Sequence, residues 1–240
     1  PEVLGVAQLV TTSAPDTAAW ATGTAYGRDA RAVDDGLEYR SLAAGNVGHK
    51  PATNPDWWYP IGTINKLAAF DVSPRSQCVG PTGADLVLQI RPGVRCTALS
   101  LLNMSAASAR VRIVDESDSE VLHDETYPLA TSAGTYWSWF FEPLQQQSDI
   151  VLTGLVPSTR ARIELTFERL YGNAAAVGVV ATGRDLYVGE AELGFQGGLQ
   201  LRGKSYIDRN DNPVRPERGH SRTLSGTVVV ERQDVNRVMQ

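Results

Sequence analysis

Cysteine, histidine and long hydrophobic runs are all scarce in this chain of 240 residues, and each scarcity excludes a class of protein. Two cysteines, Cys78 and Cys96, are too few for a disulfide scaffold, and we predict two reduced thiols rather than one bridge. No apolar run reaches the roughly 18 residues of a transmembrane helix, so no membrane insertion is expected. The 3 histidines are far apart and lack the spacing of zinc ligands, so no metal and no cofactor are predicted.

Charge of one sign is not in large excess either. Lysine and arginine number 22, aspartate and glutamate number 27, and the net charge is −5 with a pI near 5.3. Binding of nucleic acid needs a clustered positive surface, so nucleic acid is not an expected partner. Apolar residues make up 42% of the chain, which is enough to bury a core and excludes disorder by composition.

Helical periodicity is rare, whereas short β-rich runs recur between Gly, Pro, Asn and Asp. This rhythm predicts an all-β protein in three blocks: a small aromatic-rich β module (1–66), a jelly-roll-like β-sandwich (67–183) and an irregular Gly-rich C-terminal arm (184–240). The strands predicted for the sandwich are Leu86–Ile90, Ala98–Met104, Val111–Asp115, Val121–Tyr127, Tyr136–Phe141, Ile150–Leu152, Ala161–Phe167 and Ala174–Val180. In the arm, Leu224–Val230 is predicted to be a further strand.

Aromatic residues concentrated in the first block are the sharpest feature of the sequence. They are Trp20, Tyr26, Tyr39, Trp57, Trp58 and Tyr59. Such rings either stack on sugars or form the core of a block too small to build another, and the core is the favoured interpretation for Trp20, Tyr26 and Tyr39. Trp57 and Trp58 are adjacent, so in an extended segment they point to opposite faces and at most one belongs to a core. The candidate carbohydrate-binding residues are Trp57, Trp58, Tyr59 and Tyr39.

The same residues resemble a known module. The pattern consists of Trp20-x-x-Gly23-x-x-Tyr26, Val33, Tyr39-x-Ser41-Leu42-x-Ala44-Gly45-Asn46-x-Gly48-x-x-Pro51 and Trp57-Trp58. It is similar to the small chitin-binding-type module of chitinases. Its continuation, Ile61-Gly62-x-x-Asn65-Lys66 and Phe70-Asp71, resembles a family of tailed-bacteriophage virion proteins in which such a stretch joins this module to a β-sandwich, with Ile64 in place of the family's threonine. The later stretches Ile90-Arg91-Pro92-Gly93 and Ala176-Val177-Gly178-x-x-x-x-Gly183 also fit that family.

This resemblance implies a structural component of a phage tail, in the region of the tip or baseplate, that mediates subunit assembly or fibre attachment. The partners it implies are other tail proteins in a multi-subunit assembly and, for some members, a glycan of the host surface. The first residues lack the charged and apolar regions of a signal peptide, which agrees with assembly in the bacterial cytoplasm and a location in the virion. The alternative is a free carbohydrate-binding protein that uses exposed aromatic rings.

One cluster of basic residues stands apart in this acidic chain. It contains Arg202, Lys204, Arg209, Arg215, Arg218, His220 and Arg222. The cluster is either a solvated face or a dock for an acidic neighbour. Asp234 then begins a predicted helix that carries apolar residues on one face. About one turn of this helix lies before Gln240, and a helix of one turn either docks on a partner or continues beyond Gln240. The candidate interface residues are Arg202, Lys204, Arg215, Arg218, Arg222, Val235, Val238 and Met239.

Catalytic patterns are weak, and we predict that the chain is not an enzyme. His123-Asp124-Glu125 places an imidazole beside carboxylates, but neighbours on a strand face opposite sides and no nucleophile motif follows. A second group of carboxylates is expected on a hairpin turn, where solvated acids are usual and where EF-hand spacing is absent. These are Asp115, Glu116, Asp118 and Glu120. A glycan-cleaving enzyme is therefore the least favoured hypothesis.

Overall fold

A computed structural model gives the fold of the chain. It describes residues 2–3, 8–71, 73, 76–129, 137, 140, 146–170, 172–185, 190–191, 196–201, 206–207, 213–214 and 220–229. In these residues the regular structure is dominated by strands that pair antiparallel, so the predicted all-β class is confirmed. The chain divides into two compact units, Pro1–Asp185 and Leu186–Gln240. The predicted block boundaries at 66 and 183 stay predictions.

Strands of two to eight residues build most of the first unit. They are β1 (Glu2–Val3), β2 (Leu9–Thr12), β3 (Arg31–Asp34), β4 (Leu37–Ser41), β5 (Trp58–Thr63), β6 (Cys78–Val79), β7 (Leu86–Ile90), β8 (Ala98–Ser105), β9 (Ser108–Asp115), β10 (Val121–Pro128), β11 (Ile150–Leu152), β12 (Ala161–Glu168) and β13 (Ala176–Gly183). Two short 3-10 helices, Pro51–Thr53 and Asn65–Phe70, lie in the same unit. Within the described part of the chain, no helix has the length and apolar character needed to cross a bilayer.

Two five-stranded sheets share one hydrophobic core. One sheet has the order β1-β13-β8-β11, with β6 also paired to β13, and the other has the order β10-β9-β12-β7-β2. Buried and half-buried residues alternate along β7, as expected for a strand with one face in the core. Strand β13 covers most of the predicted strand Ala174–Val180 and is buried on both faces along most of its length. The opening strand β2 belongs to this sandwich, because it pairs with β7.

A three-stranded sheet with the order β3-β4-β5 carries three aromatic residues of the first block, Tyr39, Trp58 and Tyr59. Asp35 and Gly36 connect β3 to β4 with φ angles of 50° and 75°. Positive φ at both central residues is the mark of a type I′ turn, which Asp-Gly adopts with little strain and which joins hairpin strands in their natural twist. The turn fixes the register, so that Asp34 faces Leu37 and Arg31 faces Arg40.

One sequence prediction differs from the structure and another is confirmed by it. Trp137 and Phe140 are helical, so the predicted strand Tyr136–Phe141 is wrong at these two positions. The aromatic content favoured a strand, but strand preference depends on packing against neighbours more than on the residue itself. Cys78 and Cys96 are both free thiols, as predicted, and burial raises the pKa of Cys78 to about 12.

The described parts of Leu186–Gln240 form three short antiparallel pairs. Their strands are β14 (Glu190–Ala191), β15 (Gln196–Leu201), β16 (Tyr206–Ile207), β17 (Pro213–Val214), β18 (His220–Ser225) and β19 (Val228–Val229). They pair as β14-β19, β15-β18 and β16-β17. The predicted strand Leu224–Val230 is interrupted after Ser225, at Gly226, a residue that weakens strand interiors.

Candidate functional site

A compact aromatic core lies at the centre of the three-stranded sheet. Its buried members are Ala32, Tyr39 and Trp58, and the half-buried rings of Trp20, Tyr26 and Trp57 pack against them. Trp58 donates from Nε1 to the backbone oxygen of His49 at 2.8 Å, and its ring meets that of Tyr26 edge-on with centroids 5.0 Å apart. Only 1% of Trp58 and 8% of Tyr39 is exposed. The core interpretation of Tyr39 is confirmed. Neither Tyr39 nor Trp58 exposes enough of its ring for a ligand to stack on it.

Trp57 is half-buried, in agreement with the prediction that at most one of the two adjacent tryptophans belongs to the core. Its ring stacks on His49 with centroids 4.1 Å apart and an interplanar angle of 9°. The buried side chain of Asn46 holds this pair, because Oδ1 lies 3.2 Å from Nδ1 of His49 while Nδ2 donates to Ser41 Oγ at 3.1 Å and to the Trp57 backbone oxygen at 3.4 Å. One face of the Trp57 ring is therefore already covered.

Tyr59 is the exposed aromatic residue of this sheet. Trp58 points into the core, so Tyr59 points to the other face of β5, where 56% of its surface is exposed. The register places Arg40 opposite Tyr59 and Arg31 opposite Arg40, so these three residues form one row across the sheet. The Arg40 guanidinium carbon lies 5.8 Å from the centroid of the Tyr59 ring, within the range of a cation–π contact. The outer face thus presents one exposed ring, with the Arg40 guanidinium over one side of it.

Hydrogen bonds at Asn65 join this sheet to the sandwich. Asn65 donates from Nδ2 to the backbone oxygens of Pro15 at 2.7 Å and Val79 at 2.8 Å, and its Oδ1 accepts from the Val79 N–H at 2.8 Å. Next to it, the Lys66 ammonium lies 2.9 Å from Asp16, whose carboxylate also accepts from the Lys66 N–H at 3.1 Å. We refer to these five residues as the joint.

The rest of the motif that resembles virion proteins continues from the joint into the sandwich. Phe70 ends the helix Asn65–Phe70 and is buried in the sandwich core, with 7% of its surface exposed. Asp71 follows and accepts hydrogen bonds from the Ser73 N–H and the Ser76 hydroxyl. A cleft of about 660 Å³ lies alongside, lined in part by Glu38 and Asp71. The motif therefore has a structural role in attaching the three-stranded sheet to the sandwich.

The imidazole and carboxylate that could have suggested catalysis face different partners. His123 Nε2 lies 3.1 Å from the Tyr127 hydroxyl, whereas Asp124 forms an ion pair with Arg110 at 2.8 Å. The prediction that these strand neighbours do not pair is confirmed. The hydrogen bond from Arg110 lowers the pKa of Asp124, so this carboxyl group is held ionised by a structural partner.

Of the carboxylates predicted on a turn, Asp115 ends β9 and Glu116 follows it, and both are held by bonds to side chains. Hydrogen bonds, first from the Ser117 hydroxyl and then from the Ser158 hydroxyl, lower the pKa of Asp115 to about 2. Glu116 accepts two short bonds from Arg91, at 2.7 and 2.9 Å, and its pKa is also lowered. Where side chains are described, no three His, Cys, Asp or Glu residues gather as metal ligands would.

The predicted interface residues of the second unit are almost all beyond what the structure describes. Arg202, Lys204, Arg215, Arg218, Val235, Val238 and Met239 lie outside the described residues. Arg222 lies on β18, where its backbone pairs with Leu199. Their role in assembly stays a prediction.

Arg31 and Arg40 were not among the residues singled out from the sequence. The signal that could have found them is the Asp35-Gly36 turn, because its two-residue loop sets the register that brings the arginines face to face.

Comparisons with known proteins return only a weak structural likeness. No family model matches the chain, and no curated protein matches it. A chitosan-binding module from a chitosanase/glucanase of Paenibacillus sp. IK-5 has a TM-score of 0.33 and 12% identity, over 48% of this chain and 82% of that module. A selenomethionine-labelled mutant of the same module has a TM-score of 0.33 and 11% identity, over 48% of this chain and 81% of its own. At such scores the likeness carries no argument about ligand or fold.

Proposed function

We propose that the three-stranded sheet binds carbohydrate without catalysis and that a sugar ring stacks on Tyr59. The exposure of Tyr59 supports this proposal, since 56% of this residue is accessible whereas Trp58 and Tyr39 are buried and Trp57 is half-buried. The face of an aromatic ring packs on the C–H groups of a sugar, and the hydroxyl at its edge bonds to sugar hydroxyls. Tyr59 is the most exposed of the four candidates and carries such a hydroxyl.

Tyr59 is already held in place on the sheet, so binding of a sugar requires little rearrangement of the protein. The residue lies on β5, whose backbone pairs with β4, and the Arg40 guanidinium lies beside its ring. A ring that is already held on a sheet loses less conformational entropy on binding than one on a loose loop, so more of the contact free energy appears as affinity.

A glycan array followed by titration calorimetry on the full chain tests this proposal. Tyr59→Ala should weaken the best glycan about tenfold or more, because truncation of an aromatic contact at the centre of an interface costs about 2 kcal/mol. Trp137→Ala is the matched control, since it removes another exposed ring, 66% accessible, outside the three-stranded sheet. Absence of binding across the array, or equal affinity for the Tyr59 variant, would overturn the proposal.

We further propose that the chain is a structural component of a bacteriophage tail and is part of the virion. The joint supports this second proposal, because the residues that resemble the linker of tail proteins are the ones that bond the sheet to the sandwich. A joint of this kind holds a binding face at a fixed orientation, which suits a subunit of an assembly. Peptides of this chain should occur in purified virions of the phage that encodes it, and their absence would refute the proposal.

A further inference from the structure

Two arginines face each other in the middle of the three-stranded sheet. Arg31 on β3 is the direct partner of Arg40 on β4, and their side chains are 60% and 47% exposed. Like charges at directly opposed positions of an antiparallel pair destabilise it. The sheet therefore carries a pairing that its own stability does not favour, beside the exposed ring of Tyr59.

The acids nearby satisfy these arginines only in part. Arg31 lies 3.5 Å from Glu38 Oε1, an oxygen that also accepts a 2.7 Å bond from the Thr17 hydroxyl. Arg40 Nε lies 3.7 Å from Asp29 Oδ1, which is beyond hydrogen-bond distance. Each guanidinium has five N–H donors in a planar fork. On these exposed side chains, most donors are consequently open to solvent.

We infer that the row of Arg31, Arg40 and Tyr59 is a subsite for an acidic glycan, one that carries carboxylate or phosphate groups. The sugar ring would lie on Tyr59 while its acidic group accepts paired N–H bonds from the neighbouring guanidinium groups. This inference rests on the proposed function, because it names the class of glycan for the same site.

Charge favours an acidic sugar over a neutral one. An anion bound between Arg31 and Arg40 reduces the part of their repulsion that Glu38 and Asp29 leave uncompensated, whereas a neutral sugar leaves that part in place. The protein as a whole has a net charge of −5, so its overall field repels polyanions. A preference for acidic glycans would therefore come from the local row and not from general adsorption.

Polymer pairs that differ only in charge provide the test on the full chain. Polygalacturonate is compared with its methyl-esterified form for carboxylate, and phosphomannan with mannan for phosphate, by affinity electrophoresis at low and high salt. The variants are Arg31→Gln, Arg40→Gln and their combination. Arg95→Gln is the control, because it removes one exposed positive charge from the loop after β7 and leaves the row intact.

The wild type should retain an acidic polymer more strongly than its neutral partner, and salt should reduce the difference. Each single variant should weaken retention of the acidic polymer roughly threefold to fivefold, as expected for one exposed ion pair, and leave the neutral polymer unchanged. Equal retention of the acidic and the neutral polymer of a pair, or a preference for the acidic polymer that persists in the double variant, would overturn the inference. If the wild type binds acidic and neutral polymers equally and Tyr59→Ala weakens both, only the preference for acidic glycans is refuted. If the wild type binds no polymer at all, the proposed function is refuted.

Discussion

Removing the side chain of Asn65 should destabilise the attachment of the three-stranded sheet more than its partial exposure suggests. Asn65→Ala deletes three hydrogen bonds of 2.7 to 2.8 Å, two donated to the backbone oxygens of Pro15 and Val79 and one accepted from the Val79 N–H. At about 0.5–1.5 kcal/mol for each bond, the free energy of unfolding should fall by about 2–4 kcal/mol. Equilibrium unfolding in urea, followed by tryptophan fluorescence and by far-UV circular dichroism, measures this loss.

The two probes also separate the sheet from the sandwich. Trp20, Trp57 and Trp58 lie in or around the aromatic core of the sheet, so fluorescence reports mainly on that part. In the wild type the joint should make both transitions coincide, and in Asn65→Ala the fluorescence transition should come first, because the sheet is released from the sandwich.

Two further variants check the reasoning at the joint. Asn65→Asp keeps an oxygen for the Val79 N–H but sets a carboxylate against the carbonyl oxygens of Pro15 and Val79, so it should destabilise at least as much as Asn65→Ala. Lys66→Ala removes only an ion pair whose ammonium side is 45% exposed, worth about 0–1 kcal/mol. If Asn65→Ala lowers the free energy of unfolding no more than Lys66→Ala does, the claim that Asn65 makes the main contacts of the joint is refuted.

The neighbouring aromatic residues and the turn after β9 give two more predictions. Trp58→Ala should lower the free energy of unfolding by about 3–5 kcal/mol because it empties a buried site, whereas Tyr59→Ala should change it by less than about 0.5 kcal/mol; equal losses in urea unfolding would contradict the burial difference. Asp115 has a pKa lowered to about 2 from a usual 3.8, so its hydrogen bonds stabilise the fold above that usual value and are lost as the pH falls towards 2. The stability difference between wild type and Asp115→Asn should therefore shrink over this window, and a difference that does not depend on pH would disprove the role of the charge.

The register of the small sheet was available in the sequence. Asp35-Gly36 is the strongest short signal for a two-residue hairpin turn, and the residues after it, Leu37 to Arg40, alternate in polarity. Counting outward from the turn pairs Arg31 with Arg40, as the structure has it. The position of Tyr59 in the same row could not be counted in this way, because β5 follows a long connection and carries a β-bulge beside Tyr39.

Which of the two adjacent tryptophans is buried could not be derived from alternation. Alternation predicts that they differ, and they do, but the choice depends on contacts distant in sequence. Trp58 becomes the core residue because its Nε1–H has a partner in the His49 backbone oxygen, while Trp57 is held outside by its stack on the His49 ring. Both contacts require the loop that Asn46 organises, and a pattern of single residues does not encode that loop's conformation.

The arginine pair and the joint can be understood as two parts of one physical arrangement. A cross-strand pair of like charges is tolerated only in a sheet that other interactions stabilise. The three-stranded sheet has only a small core of its own. The joint, through Asn65 and Lys66, and the buried Phe70 that follows it in the chain supply the missing stability from the sandwich. Relief of the repulsion by a bound anion should consequently stabilise the sheet, and the gain should be larger in Asn65→Ala, where the sheet unfolds on its own and no longer shares the stability of the sandwich. A melting temperature that polygalacturonate raises equally in wild type and Asn65→Ala would show that the two parts are independent.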